Sequence, residues 1–118
     1  MKELTLRELC EMYNVSRRAV QGYEKHGLVS ATGRTNKGYL LYDESAQQTV
    51  ARIKRCQDYG FSVKEIGTFF NSTPQAQKEL LVEKLNELKA KKINTEKCIN
   101  EVEKILEKMY SCKVAKIP

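Results

Sequence analysis

The stretch VSRRAVQGYEKHGLV, residues 15–29, decides the fold. Ser16 is a helix N-cap: its hydroxyl can accept one of the N–H groups that the first turn leaves unpaired. Val20 and Tyr23 follow on one face, and Gly27 is the stop. The preceding residues supply a second helix. Thr5 and Glu8 have capping-box spacing, Leu6, Leu9 and Tyr13 share a face, and Asn14 tolerates the left-handed turn that must follow. Val15 then plugs that turn. Two short helices joined in this way make a helix-turn-helix, whose second helix presents its N-terminal residues to DNA. Arg17 and Arg18 would stand where that helix meets the duplex. The same pair also suits a solvated helix start, so the rest of the chain has to decide.

Downstream, Asn36, Lys37 and Gly38 read as a turn, residues 39–42 as a short strand, and residues 32–34 as its partner. That is a small hairpin with Arg34 and Lys37 near the tip. It is either a wing or an ordinary basic surface hairpin. Asp43 caps a third helix with the apolar stripe Ala46, Val50, Ile53 and Cys56, stopped by Gly60. Ser62 and Glu65 form another capping box, opening a short helix that carries Val63, Ile66, Phe69 and Phe70.

Pro74 suits the first turn of a last helix. From there to Tyr110 the sequence has neither Gly nor a further Pro. Leu81, Leu85, Leu88, Ile99, Val102, Leu106 and Met109 recur in alternating steps of four and three, with Lys92 and Thr95 on the same lattice in the middle. A helix of about 55 Å has no core of its own to lie against in so small a chain. Its expected partner is a second copy, the commonest assembly.

The chain has 118 residues with 21 basic and 15 acidic side chains, a net charge of +6. That favours a polyanion such as nucleic acid. All six arginines (Arg7, Arg17, Arg18, Arg34, Arg52 and Arg55) precede Pro74, and arginine suits forked contact with phosphate and guanine. The remainder carries Lys and Glu without Arg, as an exposed charge-laced helix does. The expected division is a DNA-binding domain over 1–73, a coiled-coil helix over 74–110 and a short tail over 111–118.

Taken together, "NVSRRAVQGYEKHGLV", "NKGYLLYDES" and "ARIKRCQDYGFSVKEI" resemble the MerR family of bacterial transcription regulators, in the family's order and spacing. The resemblance covers residues 4–110. It implies a mostly helical protein with a winged helix-turn-helix on each protomer and an antiparallel coiled coil between two protomers. It also implies a dyad-symmetric promoter operator that is bent and untwisted so that RNA polymerase can engage it. The chain departs from the family pattern at four places. Gln21 and Gly22 stand where an Arg and an aromatic are usual, Leu40 replaces a wing Arg, and Gln47 occupies an apolar position.

The expected DNA contacts are Ser16, Arg17, Arg18 and Gln21, flanked by Tyr23, Lys25 and His26, with Arg34, Lys37 and Tyr39 on the wing. The expected dimer seam is Leu81, Leu85, Leu88, Lys92, Thr95, Ile99, Val102, Leu106 and Met109. No catalytic constellation is present, and no cofactor or metal is expected. Cys10 and Cys56 fall at core positions. Cys98 and Cys112 lie two heptads apart, about 21 Å along a helix, too far to share an ion within one chain. With no signal peptide or apolar span, the expected location is the cytoplasm, with reduced thiols. With eight residues after Tyr110, an effector would be a small molecule at the dimer interface or another protein. Two other readings remain: a protein-interaction module that kept the fold, prompted by Gly22 and Leu40, and a thiol-based metal or redox sensor.

Overall fold

Residues 2–111 are described by a computed structural model. The order is β1 (Leu4–Thr5), α1 (Leu6–Tyr13), α2 (Arg17–Lys25), β2 (Gly33–Arg34), β3 (Leu40–Tyr42), α3 (Glu44–Asp58), α4 (Val63–Phe70) and α5 (Pro74–Ser111). Local signals in the chain set each boundary. The Thr5 hydroxyl accepts from the Glu8 amide while the Glu8 carboxylate accepts from the Thr5 amide. That contact holds the Glu8 carboxyl below the ordinary range, backbone hydrogen bonding being the main cause. Ser62 and Glu65 repeat the box on α4. Asp43 caps α3, accepting from the Ala46 amide at 2.9 Å. Asn14 turns the chain at φ 53°, in the left-handed region, and Gly60, at φ 100°, lets the chain leave α3.

The hairpin expected from sequence is present, with β2 pairing β3 antiparallel. A third strand was not expected: β1 pairs the other edge of β3, giving the order β1-β3-β2. Its two residues are too short for an alternating pattern, and Thr5 serves as strand residue and helix cap at once. The core gathers one or two residues from nearly every element: Leu4, Leu9, Val20, Tyr23, Tyr42, Val50, Ile53, Phe61 and Ile66. Each large apolar side chain buried there contributes about 1.5–3 kcal/mol.

Gln47, at a position where an apolar residue is usual, is only 2% exposed. Its Nε2 donates to the carbonyls of Lys2 and Tyr42 at 2.9 and 3.0 Å. The Tyr13 hydroxyl reaches its Oε1 at 3.5 Å. The polar side chain is therefore tolerated because it joins α3 to the N-terminal segment and the end of β3.

The chain divides into two compact units, Met1–Lys78 and Glu79–Pro118. The boundary falls inside α5, a few residues beyond the expected 73/74. The first turn of α5 belongs with the first unit, where the Gln77 side-chain Nε2 donates to the Phe69 carbonyl at 2.8 Å. α5 itself runs 38 residues. The tail expected over 111–118, apart from Ser111, lies outside the described residues.

Candidate nucleic-acid interface

Helix α2 is clamped on one side and open on the other. Val20 and Tyr23 are buried. The Tyr23 hydroxyl donates to Gln57 Oε1 at 2.7 Å, and the Tyr42 hydroxyl donates to the Glu24 carboxylate. Burial raises both phenols above their ordinary range, helped by the charge of Asp58 at Tyr23 and by the Glu24 contact at Tyr42. Both tyrosines thus remain neutral donors at any physiological pH. These two bonds tie α2 to α3 and to β3, the strand that carries the wing.

Tyr23 was expected among the DNA contacts, but at 2% exposure it is a core residue. Its inward spacing with Val20 already carried that message. Ser16 is taken up by the cap, accepting from the Ala19 amide at 3.0 Å. The His26 ring bonds the Gly22 carbonyl through Nδ1 at 2.9 Å, which finishes the helix.

The open side is continuous. Arg18, Gln21, Gly22 and Lys25 follow the i, i+3, i+4, i+7 spacing of one helix face, and Arg17 stands beside them. The three charged residues and Gln21 are exposed. A Cβ built on Gly22 would meet nothing within 4 Å, so no packing within the protein requires glycine there.

The wing is braced from within. At its tip the Thr35 amide donates to the Tyr39 carbonyl at 2.8 Å and the Gly38 amide to the Thr35 carbonyl at 2.9 Å. Gly38 holds φ 85°, a conformation glycine adopts freely. Arg34 Nη1 donates to the Gly38 carbonyl at 3.0 Å, which leaves most of its five donors for another acceptor. Lys37 and Tyr39 are exposed.

Between the wing and the two N-terminal helices runs a groove of about 590 Å³ lined by Thr5, Leu6, Arg7, Arg17, Gly38, Tyr39 and Leu40. It brings the start of α2 together with the wing. It also adds Arg7, which the sequence reading placed only as a charge. Arg7 is paired with Glu11 at 3.3 Å, both side chains well exposed, so the pair is weak and exchangeable. Capping spacing drew attention to Thr5 and Glu8, whereas Arg7 shares the groove only through the fold. Arg52 lies over the Phe70 ring, 4.8 Å from its centroid, and the neighbouring Lys54 donates to the Asn14 carbonyl at 2.8 Å.

On α5 the expected seam is apolar and uncovered in the single chain: Leu81, Leu85, Leu88, Ile99, Val102 and Leu106 are each exposed, with Met109 half-buried. Thr95 returns its hydroxyl to the Lys91 carbonyl at 2.8 Å, and Lys92 is exposed. Cys10 and Cys56 are half-buried, and burial raises both thiols. Cys98 is exposed, and Cys112 lies outside the described residues. Among the described residues, no three His, Cys, Asp or Glu side chains gather as a metal site, and no helix is long and apolar enough to cross a membrane.

Comparison with known proteins assigns the chain. The MerR HTH family regulatory protein model matches residues 4–73, and a second model, MerR, DNA binding, matches residues 47–105. The mercuric resistance operon regulatory protein of Bacillus cereus is 42% identical over 62 residues, 50% of this chain and 45% of that protein. The regulator HmrR of Sinorhizobium medicae is 33% identical over 63 residues, 53% and 43% of the two chains. The chain thus spans less than half the length of these curated relatives. Among solved structures, a MerR family transcriptional regulator from Bacillus cereus superposes with a TM-score of 0.79 at 18% identity, over 98% of this chain and 89% of that one. HiNmlR, described as a MerR family regulator lacking the sensor domain and bound to promoter DNA, gives 0.75 at 17% identity, over 97% and 93%. With the helix-turn-helix, the braced wing and both family models in agreement, the chain belongs to the MerR family of DNA-binding transcription regulators.

Proposed function

We propose that the chain binds double-stranded DNA as a homodimer, through a dyad-symmetric promoter operator, and controls transcription by distorting it. The observation that carries this reading is the groove that brings Arg17, at the exposed start of α2, together with Arg7 and the wing residues Gly38, Tyr39 and Leu40. In this reading Arg17, Arg18 and Gln21 enter the major groove. Arginine there can pair bidentately with guanine and glutamine with adenine. Arg34, Lys37 and Tyr39 hold phosphates, joined by Arg7, while Lys25 and His26 flank the far end of α2. The bonds from Tyr42 to Glu24 and from Tyr23 to Gln57 fix the angle between recognition helix and wing. Such stiffness is what a protein needs to impose a shape on DNA, where bending costs several kcal/mol. The seam on α5 joins two such units, and RNA polymerase then meets a reshaped promoter in the cytoplasm.

The test is fluorescence anisotropy of the full chain against duplex DNA from upstream of its own gene, compared with scrambled duplex at fixed salt. The proposal expects one dimer per site and a preference of at least about 10³ over scrambled DNA. Equal binding to both, falling together with salt, would leave only a basic protein that holds DNA non-specifically. No binding to either would favour a protein-interaction module.

A further inference from the structure

Among the residues on the open face of α2, Gly22 alone offers a partner no side chain. It lies in the interior of the helix, where glycine costs about fivefold in the folding equilibrium relative to alanine. Nothing within the protein offsets that cost. A Cβ there would meet no atom within 4 Å. The backbone is not in the left-handed region that favours glycine, in contrast to Gly27, Gly38 and Gly60.

The polar groups of Gly22 are already taken. Its carbonyl accepts from the His26 amide at 3.1 Å and from the His26 ring Nδ1 at 2.9 Å, which fills both lone pairs. Its amide belongs to the helix ladder and bonds the carbonyl four residues back. What Gly22 turns outward is therefore Cα–H and an empty space the size of a methyl group. Arg18, Gln21 and Lys25 surround that space at helical spacing.

We infer that this space receives the 5-methyl group of a thymine, so that Gly22 is a specificity-determining residue. The inference deepens the proposed function and rests on it, because it places the open face of α2 in the major groove. Base edges there present hydrogen-bond donors and acceptors, and the thymine methyl is the apolar group that projects from them. A donor or acceptor set against Gly22 would lose water and find no partner, which weakens binding. A thymine methyl loses no polar contact, and its burial favours binding about fourfold. Arg18 and Gln21 keep their donors and acceptors for neighbouring bases. An alanine at position 22 would set its own methyl where the thymine methyl belongs.

The test is a methyl exchange. The probe is duplex DNA from upstream of the chain's own gene, with each thymine replaced in turn by deoxyuridine, which lacks only the 5-methyl. Anisotropy of the full wild-type chain and of Gly22→Ala is measured on the whole set at fixed salt. The proposal expects one thymine in each half-site whose replacement weakens the wild type about fourfold. It expects Gly22→Ala to bind the unmodified duplex about tenfold more weakly, as overpacking does. It expects deoxyuridine in both half-sites at that same position to restore most of the loss.

A wild type that prefers the upstream duplex but ignores every replacement would overturn the inference and leave the proposed function standing. So would Gly22→Ala that loses the same factor as the wild type at the sensitive thymine, because another residue would then hold that methyl. A uniform loss by Gly22→Ala on every duplex, without rescue by deoxyuridine, would also overturn it and assign the space to the sugar–phosphate strand. A wild type without preference between upstream and scrambled duplex would overturn the proposed function itself, and this inference with it.

Discussion

Gln47→Leu tests whether the buried amide is a structural tie or a remnant in a place meant for a hydrocarbon. The two readings predict opposite signs. Leucine removes the Nε2 donations to the Lys2 and Tyr42 carbonyls, each a net contribution of about 1 kcal/mol. The Lys2 carbonyl sits in a part-buried contact and can recover water. The contact to the Tyr42 carbonyl is buried, so its loss costs toward the upper part of the roughly 1–3 kcal/mol range for a buried group left short of a partner. Against this, burying the apolar leucine returns about 1 kcal/mol. The net expectation is a loss of about 1–3 kcal/mol. For a unit of this size that lowers the melting temperature by about 5–15 °C. Thermal and urea unfolding of the full chain, followed by circular dichroism at fixed protein concentration, measures it. A melting temperature that rises, with an unchanged urea slope, would refute the argument and show the position to be an ordinary apolar site.

Three further outcomes follow from the interface. Lys37→Ala should weaken binding about equally on every DNA sequence and lower the salt slope by about one unit, whereas Arg18→Ala should cost about 1–3 kcal/mol and relax the sequence preference; titrations of specific and scrambled duplexes over a salt series separate them. Gly22→Ala should raise the stability of the free protein by about 1 kcal/mol, because its Cβ meets nothing within 4 Å, and it should weaken DNA binding if that face approaches the bases closely; melting and anisotropy on the same preparation report both. Burial raises the Cys10 and Cys56 thiols, so at pH 8 they carry less thiolate than an ordinary cysteine, and mass-mapped alkylation should reach the exposed Cys98 before either of them.

Much of the fold was legible because its boundaries are written in short-range chemistry. Thr5 with Glu8, Ser16, Asp43, Ser62 with Glu65, and Asn14 each act on neighbours within four residues, and such signals survive in a bare sequence. What stayed hidden acts over distance. β1 exists because β3 has an edge to pair with, not because Leu4 and Thr5 have a strand pattern. Gln47 finds its acceptors 45 and 5 residues away in the chain, so composition alone makes it look misplaced. Arg7 enters the groove only after the wing folds beside α1. Tyr23 shows the reverse case: its spacing pointed inward while the family motif around it suggested contact with DNA, and packing decided. The long helix α5 was readable throughout, because an unbroken run without Gly needs no tertiary information to be seen.

The central claim is that the open face of α2 reads base sequence as part of a dimer. Anisotropy of the wild-type chain and of Arg18→Ala, on the upstream duplex and on a scrambled one at the same salt, tests it most directly. The account predicts that the wild type prefers the upstream duplex by at least about 10³. It predicts that Arg18→Ala loses about 10- to 100-fold on that duplex while changing little on the scrambled one. A wild type that binds both duplexes alike, or an Arg18→Ala variant that loses the same factor on both, would contradict it.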